Sequence, residues 1–388
     1  MLKKIKFIKN NKFLTLMLIS CISLLVLYIS FLWNSNEQQQ DIVIGVAWPF
    51  AKNNSMFREG VELAIHEINE NGGVKGQKIK VVEKDDEGSV NQGMAIAQSF
   101  VNDCKTIAVI GHRESFISIP ASRIYESGGI VMLSPASTAP QLTNNENKYI
   151  FRNIPSDDEI AKQLATYASQ KGYKKTVIYY ADNSYGLGLA NAFEDHAKRL
   201  GISTVDRISI YSNLRELERL HKKWQALDFD SVFIAQPAKE GAEFIADTAK
   251  VGIAVAYIGG NAMDSPLLCS VGGKAAEGMV IGTIFNPQDS RQVVKDFVNK
   301  FNQNYNTIPS AYSAQGYDAV KLLVAAIEQA ESTEPLVIAE KLRTIKDWPG
   351  VSGYHTFNEY GDDIGNLVIM KVVRNGVLEV VDESNGDE

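Results

Sequence analysis

Short apolar runs and stripes of apolar residues at helical spacing alternate along most of this chain. "DIVIGVA" (41–47) is short and β-branched, which predicts a buried strand rather than a helix. Phe57, Val61, Ala64, Ile65 and Ile68 then recur on one helical face until Gly72-Gly73. "KIKVVE" (78–83) predicts a second strand, and Val90, Met94, Ala97 and Val101 stripe a second helix. "TIAVI" (106–110) predicts a third strand. A helix from about Ser115 to Glu126 leads to "GIVML" (129–133). Strands that do not alternate with polar residues are covered on both faces, so this βαβαβαβ order predicts a parallel sheet between helices.

The rhythm breaks at "SPASTAPQLTNNENKYIFRNIPSDD" (134–158), where Pro, Ser, Thr and Asn predict loop. It resumes with strands at "KTVIYY" (175–180), "GISTVDRISI" (201–210), "SVFIAQ" (231–236), "VAYIGG" (255–260) and "GMVIGTI" (278–284). Three more helices are expected near 289–304, 313–331 and 335–346. "VSGYHTF" and "NLVIMKVV" then read as a terminal antiparallel pair. No repeat of 20–50 residues is visible. The expectation is two α/β lobes in series, which 388 residues readily supply.

The N-terminus has another character. Lys3, Lys4, Lys6, Lys9 and Lys12 precede "FLTLMLISCISLLVLYISFLW" (13–33), a run without charge that as a helix matches a bilayer core. Residues 1–12 read as a cytoplasmic basic segment and 13–33 as a signal anchor, with the body beyond about residue 37 outside the cytoplasm. Two alternatives stay open: a lipoprotein acylated at Cys21 after "LISC", and cleavage near Asn34. The remaining chain holds 34 basic against 46 acidic side chains, an acidic body with no basic stripe, which argues against nucleic acid. Cys104 and Cys269 lie far apart and read as two small core thiols.

Enzyme motifs are missing. There is no Cys-x-x-Cys, His-Glu-x-x-His, Walker loop or Gly-x-Ser-x-Gly, and no cofactor or metal is implied. His66, His112, His196, His221 and His355 form no cluster in the sequence and read as structural or solvated. Gly186-x-Gly188 eases a tight βα turn but lacks the third glycine of a dinucleotide site. What remains is polar loops at strand ends, where parallel sheets bind ligands and helix N-termini face anions. Ser115 follows "GHRE", and Ser137 and Thr138 lie in "SPAST" after the next strand. Ser115 with His112 as a catalytic pair lacks an acid and an oxyanion arrangement, so the pattern points to binding rather than turnover.

In order along residues 41–373, "EGVELAIHEINENGGVKGQKIKVVEKDD" (59–86), "VIGHRESFISIPASRIYESGGIVMLSPASTAPQLT" (109–143), "NSYGLGLA" (183–190), "AAEGMVIG" (275–282) and "YDAV" (317–320) resemble the leucine/isoleucine/valine-binding type of extracytoplasmic solute-binding protein. These are type I periplasmic binding proteins. The resemblance implies two Rossmann-like lobes joined by a three-strand hinge that closes on a small molecule for an ABC permease. A sensor reporting to a separate membrane partner is the alternative. The lobes would take 41–155 with 286–346, and 156–285 with 347–388. It implies that Ser115, Ser137 (mainly by backbone) and Thr138 hold a ligand carboxylate, that Tyr185 covers the ligand, and that Trp48 or Phe50 forms an apolar wall. Two departures stand out. Gly88 and Glu114 occupy the places of a disulfide found in branched-chain binders. Asn261 stands where an acid pairs with the ligand's ammonium group, so that Asp264 or Asp182 must substitute, or else the ligand lacks an ammonium.

Overall fold

The computed structural model describes residues 41–52, 55–143 and 146–381, and before them only residues 17, 20 and 22–25, all helical. The run 13–33, expected as a membrane anchor, thus lies mostly outside the described residues. Among those described, no helix is long and apolar enough to cross a membrane.

The unalternating apolar runs form β1 (Ile42–Trp48), β2 (Ile79–Asp85), β3 (Thr106–Gly111) and β4 (Val131–Ser134), joined by α1 (Phe57–Glu70), α2 (Val90–Asn102) and α3 (Ser115–Gly128). With β5 (Ile150–Arg152) they make a parallel sheet of order β2-β1-β3-β4-β5. β5 lies inside the stretch expected as loop; its three residues are too few to register as a run among Asn and Pro. Ala47 pairs with Gly111, which sets the carboxyl ends of β1 and β3 side by side.

The second sheet is built from β6 (Lys175–Tyr180), β7 (Ser203–Ile208), β8 (Ser231–Ala235), β9 (Ala256–Gly259) and β10 (Val280–Thr283). Its helices are α4 (Asp157–Gln170), α5 (Ser184–Arg199), α6 (Leu214–Ala226), α7 (Ala238–Lys250) and α8 (Pro266–Gly272). Then follow α9 (Gln292–Tyr305), α10 (Ala311–Ala330), α11 (Pro335–Leu342) and the short β11 (Trp348–Pro349) and β12 (Tyr354–His355). β13 (Ile369–Arg374) and β14 (Val377–Val380) complete an order β14-β13-β10-β9-β8-β6-β7.

The expected pairing of 351–357 with 366–373 does not form. β12 pairs with β11, whereas β13 runs antiparallel to β10 and to β14. The cause is local: Asn375 and Gly376 both take positive φ (50° and 74°), the two-residue turn that suits strand twist and closes a β13–β14 hairpin.

One core gathers residues between 42 and 151 and between 285 and 345, with Val351 and Phe357. Its spine is α10, which is buried on most sides. A Cβ on Gly60 would lie 2.0 Å from the Ser313 carbonyl oxygen, so α1 meets α10 backbone to backbone and only glycine fits the contact. Val368 and Val373 belong instead to the cores of the second sheet. The chain therefore passes between the two sheets three times: after Arg152, after Thr283, and between Phe357 and Val368. Of Cys104 and Cys269, Cys104 is exposed in the turn after α2 rather than a core thiol, whereas Cys269 is half-buried on α8 and packs against the second sheet's core.

The third crossover is fastened by His355, which is fully buried between Asp363 (Nδ1 to Oδ2 2.5 Å) and Asp318 of α10 (Nε2 to Oδ2 3.2 Å). Ser352 Oγ donates to Asp318 and Asn366 Nδ2 donates to Asp363. Burial works against a charged imidazole here, but the two carboxylates outweigh it and hold the pKa up at about 10. A raised folded pKa stabilises fully below the unfolded value of about 6.5, and this contribution is lost as pH rises from there to about 10. We predict that the melting-temperature gap between wild type and His355→Asn is largest below about pH 6.5 and narrows toward pH 10. A gap that does not vary with pH would show that His355 is uncharged in the folded protein.

Candidate functional site

The site starts where β3 ends. His112, read with the other histidines as structural or solvated, is structural: it is fully buried, with Nδ1 2.7 Å from Asp86 Oδ2 and Nε2 3.3 Å from the Tyr125 hydroxyl. The His112 carbonyl lies within hydrogen-bond reach of three hydroxyls: Ser118 (3.2 Å), Ser134 (3.2 Å) and Ser137 (3.3 Å). This network locks the "GHRES" and "SPAST" loops together from beneath.

The lock decides which atoms can meet a ligand. Ser137 Oγ also lies 2.6 Å from Ser118 Oγ, its N–H donates to Ser134 Oγ, and its carbonyl accepts from Arg152 Nη1. Ser137 is therefore engaged inside the protein, backbone included. Ser115 Oγ accepts the Ala139 N–H at 3.3 Å, which leaves its proton free. Ser115 is also the first residue of α3, where N–H groups have no intrahelical acceptor. Thr138 is fully buried and its Oγ1 has no partner. The loops after two adjacent strands thus each carry a hydroxyl with a proton to spare.

Beside them lies a carboxylate that the sequence did not single out. Asp157, the first residue of α4, is fully buried, its N–H donates to the Thr138 carbonyl at 2.8 Å, and neither carboxylate oxygen has a hydrogen-bond partner. Burial pushes its pKa up to about 7, and the nearby Thr138 hydroxyl and Arg152 charge offset only part of that. A Cβ on Gly188 would come within 2.5 Å of Asp157 Oδ2, so this glycine, placed inside α5 rather than in the expected βα turn, makes room for the carboxylate.

On α5, the Tyr185 hydroxyl is buried and partnerless, and its pKa is raised well above the usual value by burial first and by Asp157 next. A Cβ on Gly260 would lie 2.9 Å from that hydroxyl, and the following residue, Asn261, has a buried and partnerless Oδ1. Trp48 stacks on Phe57 (3.8 Å between centroids) and meets Tyr312 edge-on at 5.9 Å, while its Nε1 also lacks a partner. Arg113 Nη2 donates to the Tyr312 hydroxyl at 3.2 Å, which links this aromatic group to the loop that leads into Ser115.

Two of the expected substitutes for an ammonium-binding acid are placed otherwise. Asp264 Oδ2 accepts from Lys371 Nζ (2.9 Å) and Thr283 Oγ1 (2.5 Å), so its charge is answered within the second lobe. Asp182 is exposed. Among the described residues, no group of His, Cys, Asp and Glu side chains could hold a metal ion. Asp157 escaped notice because it opens the acidic triplet Asp157-Asp158-Glu159, which reads as ordinary helix-start acids.

A family model described as periplasmic binding protein matches residues 44–376. The chain belongs to that family. Among its relatives, the Leu/Ile/Val-binding protein homolog 2 of Brucella abortus is 29% identical over 347 residues, 87% of this chain and 91% of that one. An ABC transporter substrate-binding protein of Desulfitobacterium hafniense, solved in complex with Leu, is 50% identical, with TM-score 0.82 over 88% of this chain and 100% of that one. A leucine-binding protein of Thermotoga maritima is 28% identical, with TM-score 0.80 over 88% and 98%. The resemblance to the leucine/isoleucine/valine type is thereby established, with its α/β lobes of parallel sheet. These periplasmic-binding relatives are substrate-binding proteins rather than enzymes.

The buried carboxylate gives a stability test. Folded Asp157 keeps a proton that the unfolded chain releases above about pH 3.9, so the ligand-free protein loses stability as pH rises from about 4 to about 7. Asp157→Asn should therefore melt higher than wild type above pH 7 without ligand, with the gain shrinking toward pH 4. A variant no more stable than wild type at about pH 8 would mean that the carboxylate is already compensated.

Proposed function

We propose that this periplasmic binding protein captures an α-amino acid with an aliphatic side chain, leucine being the first candidate, and hands it to an ABC-type permease. The observation that carries the reading is Asp157, a partnerless buried carboxylate beside the free donors of Ser115 and Thr138. An α-amino acid is a zwitterion: its carboxylate suits the Ser115 and Thr138 donors at a helix start, and its ammonium suits Asp157 and Thr138 Oγ1. Tyr185 and Asn261 then cap it from the second lobe, and Trp48 with Tyr312 lines the side-chain end. Asn261, being neutral, contributes a hydrogen bond only; the charge that Asp264 or Asp182 was expected to supply comes from Asp157. The leucine complex of the Desulfitobacterium hafniense relative supports an aliphatic ligand, and the transporter role of that relative favours delivery over sensing. We further place the lobes outside the cytoplasmic membrane, tethered by residues 13–33, on the Lys-rich start and the charge-free run that follows it.

Leucine binding to the folded form alone raises the melting temperature. Asp157→Asn should weaken leucine binding by about 2–5 kcal/mol, as expected when one partner of a buried charge pair is removed. The oxo-acid of leucine, which keeps the carboxylate and lacks the ammonium, should lose far less in the same variant. Calorimetric titration of both ligands checks this. Undiminished leucine affinity in Asp157→Asn, or in Ser115→Ala/Thr138→Ala, refutes the assignment.

A further inference from the structure

Arg152 closes β5 at the first crossover and is fully buried. Each of its nitrogens has an acceptor inside the protein. Nε donates to Asp362 Oδ1 at 2.6 Å, Nη1 to the carbonyls of Ser137 (3.2 Å) and Ala139 (3.0 Å), and Nη2 to Thr143 Oγ1. Thr143 Oγ1 in turn donates to Asp362 Oδ1, closing a ring of three side chains. Arg152 and Asp362 form an ion pair that joins two crossovers. The other acceptors of Arg152 say more, because Ser137 and Ala139 flank Thr138.

A trans peptide unit points its C=O and N–H in opposite directions. When Arg152 draws the Ser137 carbonyl back, it turns the Thr138 N–H the other way. That N–H meets no protein acceptor among the described residues, and Thr138 Oγ1 is likewise partnerless. The next N–H, that of Ala139, is taken by Ser115 Oγ, and the Ala139 carbonyl precedes Pro140, which has no N–H to aim. Thr138 is thus the residue whose donors this arrangement leaves free. Arg152 itself is aimed from the third crossover: besides Asp362, the Gly361 carbonyl accepts the Arg152 N–H at 3.0 Å. Gly361 takes φ +87°, and a Cβ there would come within 2.2 Å of the Ile150 carbonyl, so the turn bearing Asp362 is seated directly on β5.

We propose that Arg152 is a positioning residue of the binding site, which aims the Thr138 N–H at the ligand carboxylate and takes its own aim from Asp362 on the third crossover. This rests on the reading of Ser115 and Thr138 as the carboxylate seat. A lysine would keep the charge but could not span two carbonyls and a carboxylate with one fork.

The test uses the full chain with isotope-labelled threonine amides, leucine as the probe, and the variants Arg152→Lys and Asp362→Asn. In wild type, leucine moves the Thr138 amide resonance downfield. In both variants that shift is lost, and the leucine Kd rises about tenfold to a hundredfold, the factor carried by one hydrogen bond to a charged group. A purely structural role would lower the ligand-free melting temperature and leave the amide shift in place. If Arg152→Lys does not fold, Asp362→Asn decides alone, since it keeps the guanidinium. A Thr138 shift and Kd within twofold of wild type in the folded variants overturn the proposal while leaving the seat intact. No Thr138 response in wild type overturns the seat and the proposal with it.

Discussion

A carboxylate removed from water keeps its charge only if something nearby answers it, and otherwise holds its proton. Asp157 is in that position. The cation that acts on it, Arg152, already faces Asp362 and the carbonyls of the 137–140 loop, so what reaches Asp157 is too weak to bring its pKa down to the usual range. The two Asp157 oxygens, the Thr138 hydroxyl, the Tyr185 hydroxyl and the Asn261 Oδ1 are all buried without partners. Protein interiors seldom leave so many polar atoms unmatched. A ligand carrying both a cation and an anion completes them in one step.

Behind this unmatched front lies a fully matched layer. The Ser118, Ser134 and Ser137 hydroxyls lie within hydrogen-bond reach of the His112 carbonyl, the His112 ring is held by Asp86 and Tyr125, and Arg152 takes up the loop carbonyls on the other side. Polar networks in a low dielectric fix a single geometry when every member is satisfied. That explains why the loops can present free donors without collapsing onto one another. The same division separates Ser137 from Thr138: adjacent in sequence, one belongs to the matched layer and the other to the front.

Much of this was legible in the sequence. The alternation of apolar runs and helical stripes gives both sheets, because a strand covered on two faces cannot alternate. Ser115 and Thr138 are expected from strand ends, and Tyr185, Asn261 and Trp48 from family resemblance; Thr138, Tyr185, Asn261 and Trp48 each carry a buried polar atom without a partner. Asp157 was not legible, since three consecutive acids at a helix start look alike until packing buries one of them. Asp264 shows the converse: its nearness to Asn261 in sequence suggested a role, but Lys371, over a hundred residues away, answers its charge. The terminal hairpin was misread for a simpler reason. Asn375-Gly376 is a strong two-residue turn signal, and pairing 351–357 with 366–373 passed over it.

The position of the charge has a consequence for how such a clamp works. On the proposed reading both ionic ends of the ligand are held by Ser115, Thr138 and Asp157, and the Asp157 N–H is tied to the Thr138 carbonyl. Asp157 opens α4, a helix of the second sheet, so on this reading the second lobe supplies the acid for the ammonium as well as the neutral groups of Tyr185 and Asn261. Closure therefore forms one ion pair, at a position already tied to the first lobe by that backbone hydrogen bond, and adds an aromatic cap and hydrogen bonds. An acid at position 261 would be a second negative charge to desolvate in the same cleft, at a cost of several kcal/mol. The amide at 261 avoids that cost and leaves Asp157 as the counter-charge of the ammonium.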